Sequence, residues 1–167
     1  MKPTIVRTIC FATLFLALAA VASAKGHRAC SNASLAGAWG YTETGTVVSP
    51  TGAVPAAAVG RYDFDSSGGF WGTQYSSAGG AVSTDTKQGT YTLNRDCTGT
   101  LTLSVYDSTG TILRRTSVWE IVLVENATEI RGIMTSLVLP NGFSLSPIMT
   151  LSAKRLFPSP GNEQKAR

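Results

Sequence analysis

The chain has 167 residues, 43% of them hydrophobic and 14% charged, with a single histidine and three cysteines. Its formal charge of +4 comes from the ends, because between Cys30 and Phe157 eight basic residues stand against nine acidic ones. A nearly neutral body with no basic stripe and no basic amphipathic helix argues against nucleic acid or a membrane surface as the partner.

In chain order, residues 1–24 read as an export signal. Lys2 and Arg7 supply the positive start, "TICFATLFLALAAV" the apolar run, and Ala22-Ser23-Ala24 the small-residue cleavage site. The run is shorter than the ~20 residues a spanning helix needs, so no stable membrane insertion is expected. A retained N-terminal anchor is the alternative. The expected location is secreted or periplasmic, with residues 25–157 as one domain and 158–167, "PSPGNEQKAR", as a disordered polar tail.

Two cysteines remain after cleavage. In an oxidising compartment Cys30 and Cys97 pair most simply with each other, and two buried free thiols are the alternative. Neither sits in a Cys-x-x-Cys, so no metal site and no redox catalysis is expected.

The body is rich in Thr, Ser, Gly, Val and Tyr and lacks helical periodicity. Alternation places strands near 37–48, 57–65, 69–78, 81–93, 99–107, 111–125, 129–139 and 142–156. Turn residues separate most of them, among them Asp65-Ser66-Ser67-Gly68, Asp107-Ser108-Thr109-Gly110 and Asn141-Gly142. Hairpins in series give an antiparallel up-and-down meander. Eight strands can split into a sandwich or close into a barrel, and the last segment favours closure. In "FSLSPIMTLSAKRLF" Phe143, Leu145, Pro147, Met149, Leu151 and Ala153 share one face, with Ile148 the exception on the other. Such length suits a barrel, provided that Pro147 sits at a bulge or an unpaired stretch. The fold expected is therefore all-β: one eight-stranded antiparallel up-and-down barrel with one disulfide.

"SLAGAWGY", residues 34–41, resembles the first-strand Gly-x-Trp of the calycins, the group that includes lipocalins, fatty-acid-binding proteins and avidins. The resemblance implies that Trp39 plugs the closed end, with a basic residue from the last strand across it. Arg155 is the match, on the same face as Phe143 through Ala153. A cysteine before the first strand, as in "CSNASLAGAW", is similar to avidins, but no biotin-binding set accompanies it. The central "VGRYDFDSSGGFWG" also looks like short secreted bacterial proteins of unknown function. "GRYDFD" loosely resembles strands of the allene-oxide-cyclase and dirigent barrels.

The chemistry on offer is sparse. His27 precedes the first strand, which makes a Ser-His-Asp triad, a Cys-His pair or a histidine metal site improbable; no catalytic residue and no cofactor is assigned. Asp63 and Asp65 share a face beside Arg61, opposite Tyr62 and Phe64, and read as a solvated polar face. Glu43 lies on the face of Trp39 and Tyr41, and Arg115 on that of Leu113, Trp119 and Ile121. If both faces line a barrel, the two charges need partners: each other, or a ligand's polar end; a bulge turning either to solvent is the third option. Trp71, Tyr75, Tyr91, Tyr106 and Trp119 are candidate aromatic lining or plain core. The expected function is non-catalytic binding of a small, largely apolar molecule by Tyr41, Glu43, Tyr91, Arg115 and Trp119. The alternatives are a cyclase or isomerase using Glu43 and a tyrosine, and an inhibitor or adhesion module acting through loops, around Phe70-Trp71 for example.

Overall fold

A computed structural model describes residues 29–156, so the expected export signal, His27 and the expected tail lie outside the described residues. Eight strands follow one another: β1 Gly37–Ser49, β2 Gly52–Phe64, β3 Gly69–Ala78, β4 Ala81–Leu93, β5 Thr98–Asp107, β6 Leu113–Val124, β7 Glu129–Val138 and β8 Ser144–Arg155. Each pairs antiparallel with its neighbours in the chain, and β1 pairs with β8 to close the barrel. Closure removes the free edges that an open sheet of this length would expose. The period-two pattern decides which face turns inward. Along β1, Trp39, Tyr41 and Glu43 are buried while Thr42 and Thr44 face out.

Two prolines explain where the regular ladder gives way. Pro55 pairs with Thr46 on β1, but β2 meets β3 only from Ala56 onward, so Pro55 has a strand on one side only. This lets β2 begin at Gly52, five residues before the expected 57. Pro147 pairs with Val47 on β1, and on its other side the β7–β8 ladder is interrupted between Ile133 and Leu137. The missing N–H therefore falls in an unpaired stretch. Phe143 precedes β8 and is exposed, so the inward face of that strand starts at Leu145.

Large inward rings lie across glycines of the adjacent strand. Tyr41 stands opposite Gly60, where a Cβ would come within 2.6 Å of the phenol oxygen. Tyr62 stands opposite Gly72, where a Cβ would come within 2.9 Å of its ring. The side chain missing at each glycine makes room for a flat aromatic layer across the barrel.

The two ends differ. The connections 65–68, 94–97 and 125–128 gather at the end where β1 starts and β8 finishes. There a short 3-10 turn, Asn32–Ser34, crosses beneath the barrel, with Leu35 buried behind it. The Cys30–Cys97 disulfide ties this segment to the β4–β5 connection. Asn32 adds two contacts: its side-chain oxygen accepts the Leu93 N–H at 2.8 Å, and its carbonyl accepts the Tyr91 hydroxyl at 2.8 Å. The opposite end carries the other four hairpins, and among the described residues no segment crosses it; this end is the mouth.

Candidate functional site

Trp39 is fully buried, and its Nε1–H donates to the Leu35 carbonyl at 2.8 Å. Strand pairing sets Arg155 directly opposite Trp39, and the guanidinium carbon lies 4.4 Å from the indole centroid. The fork then donates to the carbonyls of Ala36 at 2.6 Å and Ser34 at 2.7 Å. Burial lowers the Arg155 pKa from its ordinary value without making it neutral, since an arginine stays charged in proteins. Arg155, from the far end of the described chain, thereby locks Trp39 to the Ser34–Ala36 backbone just before it.

Tyr91 belongs to the plugged end and not to the mouth. Its hydroxyl bridges the carbonyls of Asn32 and Asp65, and burial, with the charge of Asp65 second, pushes its pKa up to about 12. Asp65 itself organises the 65–69 turn. Its Oδ1 accepts the N–H groups of Ser67, Gly68 and Gly69 and the Ser67 hydroxyl, which holds the acid down at about 2. Asp63 instead forms a surface ion pair with Arg61 at 2.7 Å. The two carboxylates have separate partners and do not converge.

Above the plug lies a layer of charge. Glu43 receives Lys87 Nζ at 2.6 Å and the Tyr62 hydroxyl at 2.9 Å, and Lys87 also donates to the Tyr62 oxygen at 3.0 Å. Tyr41 stacks on Tyr62 with centroids 4.0 Å apart, and the ammonium sits 4.7 Å from the Tyr41 centroid. Glu43 and Lys87 are only 4% and 3% exposed. Desolvation lowers the Lys87 pKa, opposed by Glu43, and raises those of Tyr41 and Tyr62, with Glu43 adding to the rise. The phenols stay protonated and serve as donors.

A second polar group borders the first. Asp85 Oδ2 accepts Gln74 Nε2 at 2.7 Å and the hydroxyls of Ser76 and Ser83 at 3.2 Å each, while Arg115 approaches it at 3.9 Å. Gln74 is completely buried, yet its Oε1 has no hydrogen-bond partner. Buried acceptors of this kind are uncommon and call for a donor.

These contacts decide against a pairing of Glu43 with Arg115, one of the three options open to the two charges. A register shift between Val105 and Tyr106, where β5 meets β6, leaves Arg114 without a rung and turns Arg115 toward Asp85. The partner of Glu43 is Lys87. The signal for Lys87 was in the sequence, because Asp85 and Lys87 share the parity of Tyr91 and Leu93 on β4. Gln74 likewise shares that of Phe70. Trp119 is buried as inward lining, with Nε1 3.3 Å from the Ser117 hydroxyl. Trp71 and Tyr75 are not lining: both stand on the outer wall, and Trp71 lies within β3 instead of a loop, with Phe70 buried beside it.

The chain matches no protein-family model and no curated protein. What stands is the architecture, a closed eight-stranded antiparallel barrel compatible with a calycin-like fold. Among the described residues no helix is long and apolar enough to cross a membrane, and no group of three or more His, Cys, Asp or Glu side chains could hold a metal ion.

Proposed function

We propose that this protein works outside the cytoplasm as a calycin-like carrier that holds a small, largely apolar molecule in the mouth of its barrel. The observation that carries the reading is the unpartnered Oε1 of fully buried Gln74, at the base of a mouth whose two sides differ. On the β7–β8–β1 side its lining is apolar, with Val47 and Met134 packed on the core and Met149 buried. On the β3–β4–β6 side the lining residues are Gln74, Ser76, Asp85 and Arg115. Charges in the interior cancel in pairs, Lys87 with Glu43 and Arg115 with Asp85. The preferred guest is therefore uncharged, with an apolar body and one O–H or N–H to give to Gln74. The disulfide supports an oxidising compartment, and the arginine-locked tryptophan supports calycin kinship.

The convergence of Glu43, Tyr62 and Lys87 is what a cyclase or isomerase reading would use. All three groups already satisfy one another through hydrogen bonds, whereas Gln74 Oε1 is left without a partner. That saturation favours a binder.

Native mass spectrometry of protein purified from its source tests the reading. The expected result is a small, neutral, solvent-extractable adduct. The emptied protein is then expected to take up N-phenylnaphthylamine, an apolar fluorophore with one N–H, and Gln74→Leu to weaken that uptake about tenfold, the share of one hydrogen bond to a buried acceptor. Protein that carries no adduct and takes up no probe overturns the proposal.

A further inference from the structure

We propose that the outer face of β2–β5, independently of the mouth, is a binding site for neutral carbohydrate with Trp71 as its stacking platform. Of the three tryptophans, Trp39 and Trp119 are 0% and 1% exposed, whereas Trp71 is 56% exposed in mid-strand. An indole left in water on a sheet face, with no segment among the described residues over it, is the kind of exposed apolar surface that marks contact with a partner. What surrounds it decides the partner.

Strand register sets Asp63, Trp71 and Gln88 side by side in one row, and Arg61, Thr73, Thr86 and Tyr106 in the next. Together they line a groove of about 350 Å³ on the wall of the barrel. Its volume lies at the lower end of the range for small-ligand clefts, ~300–1,000 Å³. At ~4.8 Å per strand the row from Asp63 to Gln88 spans roughly 10 Å, the length of a disaccharide.

The polar side chains are already held in place. Arg61 grips Asp63 with two hydrogen bonds, of 3.0 and 2.7 Å, and Gln88 Nε2 lies 3.3 Å from the Tyr106 hydroxyl. What they still offer is a close mixture of donors and acceptors with no net charge: carboxylate lone pairs, an amide oxygen and hydroxyls. A sugar ring matches both parts. Its C–H face lies against the indole, and its equatorial hydroxyls meet the donors and acceptors around the rim. A purely apolar partner would bury the Arg61–Asp63 pair and the hydroxyls without replacing their water. An anionic polymer would find Arg61 already neutralised.

The test is affinity electrophoresis of the folded protein through native gels containing a soluble neutral polysaccharide: hydroxyethyl cellulose, glycogen, laminarin or galactomannan. Retardation by at least one of them is expected, weakened about tenfold or more in Trp71→Ala, as for an aromatic anchor. Gln88→Ala is expected to weaken it less. Tyr75→Ala removes a ring that is 65% exposed on the same strand but outside the groove, and is expected to change nothing. In the wild type the matching oligosaccharide should shield Trp71, the exposed tryptophan, from acrylamide quenching. No retardation in any of the four gels overturns the proposal, as does retardation that survives Trp71→Ala. Quenching protection by neutral phospholipid vesicles but by no oligosaccharide also overturns it, and would make the face an apolar docking surface.

Discussion

Replacing Lys87 by methionine isolates the energetics of the charged layer. The substitution conserves volume and leaves the 4%-exposed carboxylate of Glu43 with the Tyr62 hydroxyl as its remaining donor. Breaking one side of a buried pair costs ~3–5 kcal/mol, because the surviving charge is desolvated and uncompensated. For a domain of this size each kcal/mol moves the melting temperature by roughly 3–5 °C, so a drop of about 10–20 °C is expected. Removing the whole group together is expected to behave differently. In the triple variant Lys87→Met, Glu43→Leu, Tyr62→Phe no charge and no hydroxyl is stranded, and similar replacements of buried ion pairs are often neutral or stabilising by ~1–4 kcal/mol. Thermal and urea unfolding of the single and triple variants measure both, and comparison of urea slopes checks that the unfolding remains comparable. A single variant that loses less than about 1 kcal/mol, or a triple variant no better than the single, refutes the picture of a sealed pair whose worth is mutual compensation.

Three further outcomes follow from the other contacts. Arg155→Lys is expected to restore little of what Arg155→Met loses, about 2–4 kcal/mol by urea unfolding, since a point ammonium cannot stack on Trp39 and also reach the Ser34 and Ala36 carbonyls in one plane. Replacing Cys30 and Cys97 by serine opens a loop of sequence separation 67 and should lower stability by ~4 kcal/mol on the chain-entropy argument, read from the urea midpoint of oxidised wild type against the double variant. Stability should also vary with pH in a definite sense. Asp65, held at about 2 against an ordinary 3.8, contributes stability that is present above 3.8 and lost as pH falls toward 2. The lowered pKa of Lys87 means that the unfolded chain binds the extra proton, so its contribution grows as pH rises toward 10.5. The raised pKa values of Tyr41 and Tyr62 reverse this above 10, where only the unfolded phenols ionise. Urea midpoints across pH 2–11 check all three signs, and a midpoint that fell steadily from neutral pH to 10 would contradict the Lys87 assignment.

Alternation carried the barrel. In β5 and the end of β8 the inward residues are apolar and their neighbours are Thr, Ser or Lys, so strand, face and closure could all be read. The turns were equally legible, because Asp-x-x-Gly and Asn-Gly need positive φ or tight side-chain acceptors. The interior charges were half visible. Glu43 announced itself on an aromatic face, but Lys87 was hidden by the polar run "STDTKQG", whose parity becomes decisive only once Tyr91 and Leu93 are known to be inward. Arg115 could not be placed, because one unpaired residue at Arg114 changes which neighbour it meets, and bulges leave little trace in composition. Trp71 misled for the opposite reason. Aromatic residues are assumed to be inside, and only the pairing of Phe70 with Phe64 shows that the ring beside it must point out.

The plug has a consequence for how the chain can be rewired. The first and last described strands meet there, and the Leu156 N–H donates to the Ala38 carbonyl at 2.9 Å. Positions 37 and 156 thus lie on one rim, on the far side of the barrel from the β1–β2, β3–β4, β5–β6 and β7–β8 hairpins. A short Gly-Ser bridge from 156 to 29, with the chain reopened between Pro50 and Thr51, should give a circular permutant with every strand neighbour unchanged. Attachment to a solid support through position 29 or 156 would leave the rim with the β1–β2, β3–β4, β5–β6 and β7–β8 hairpins pointing into solution.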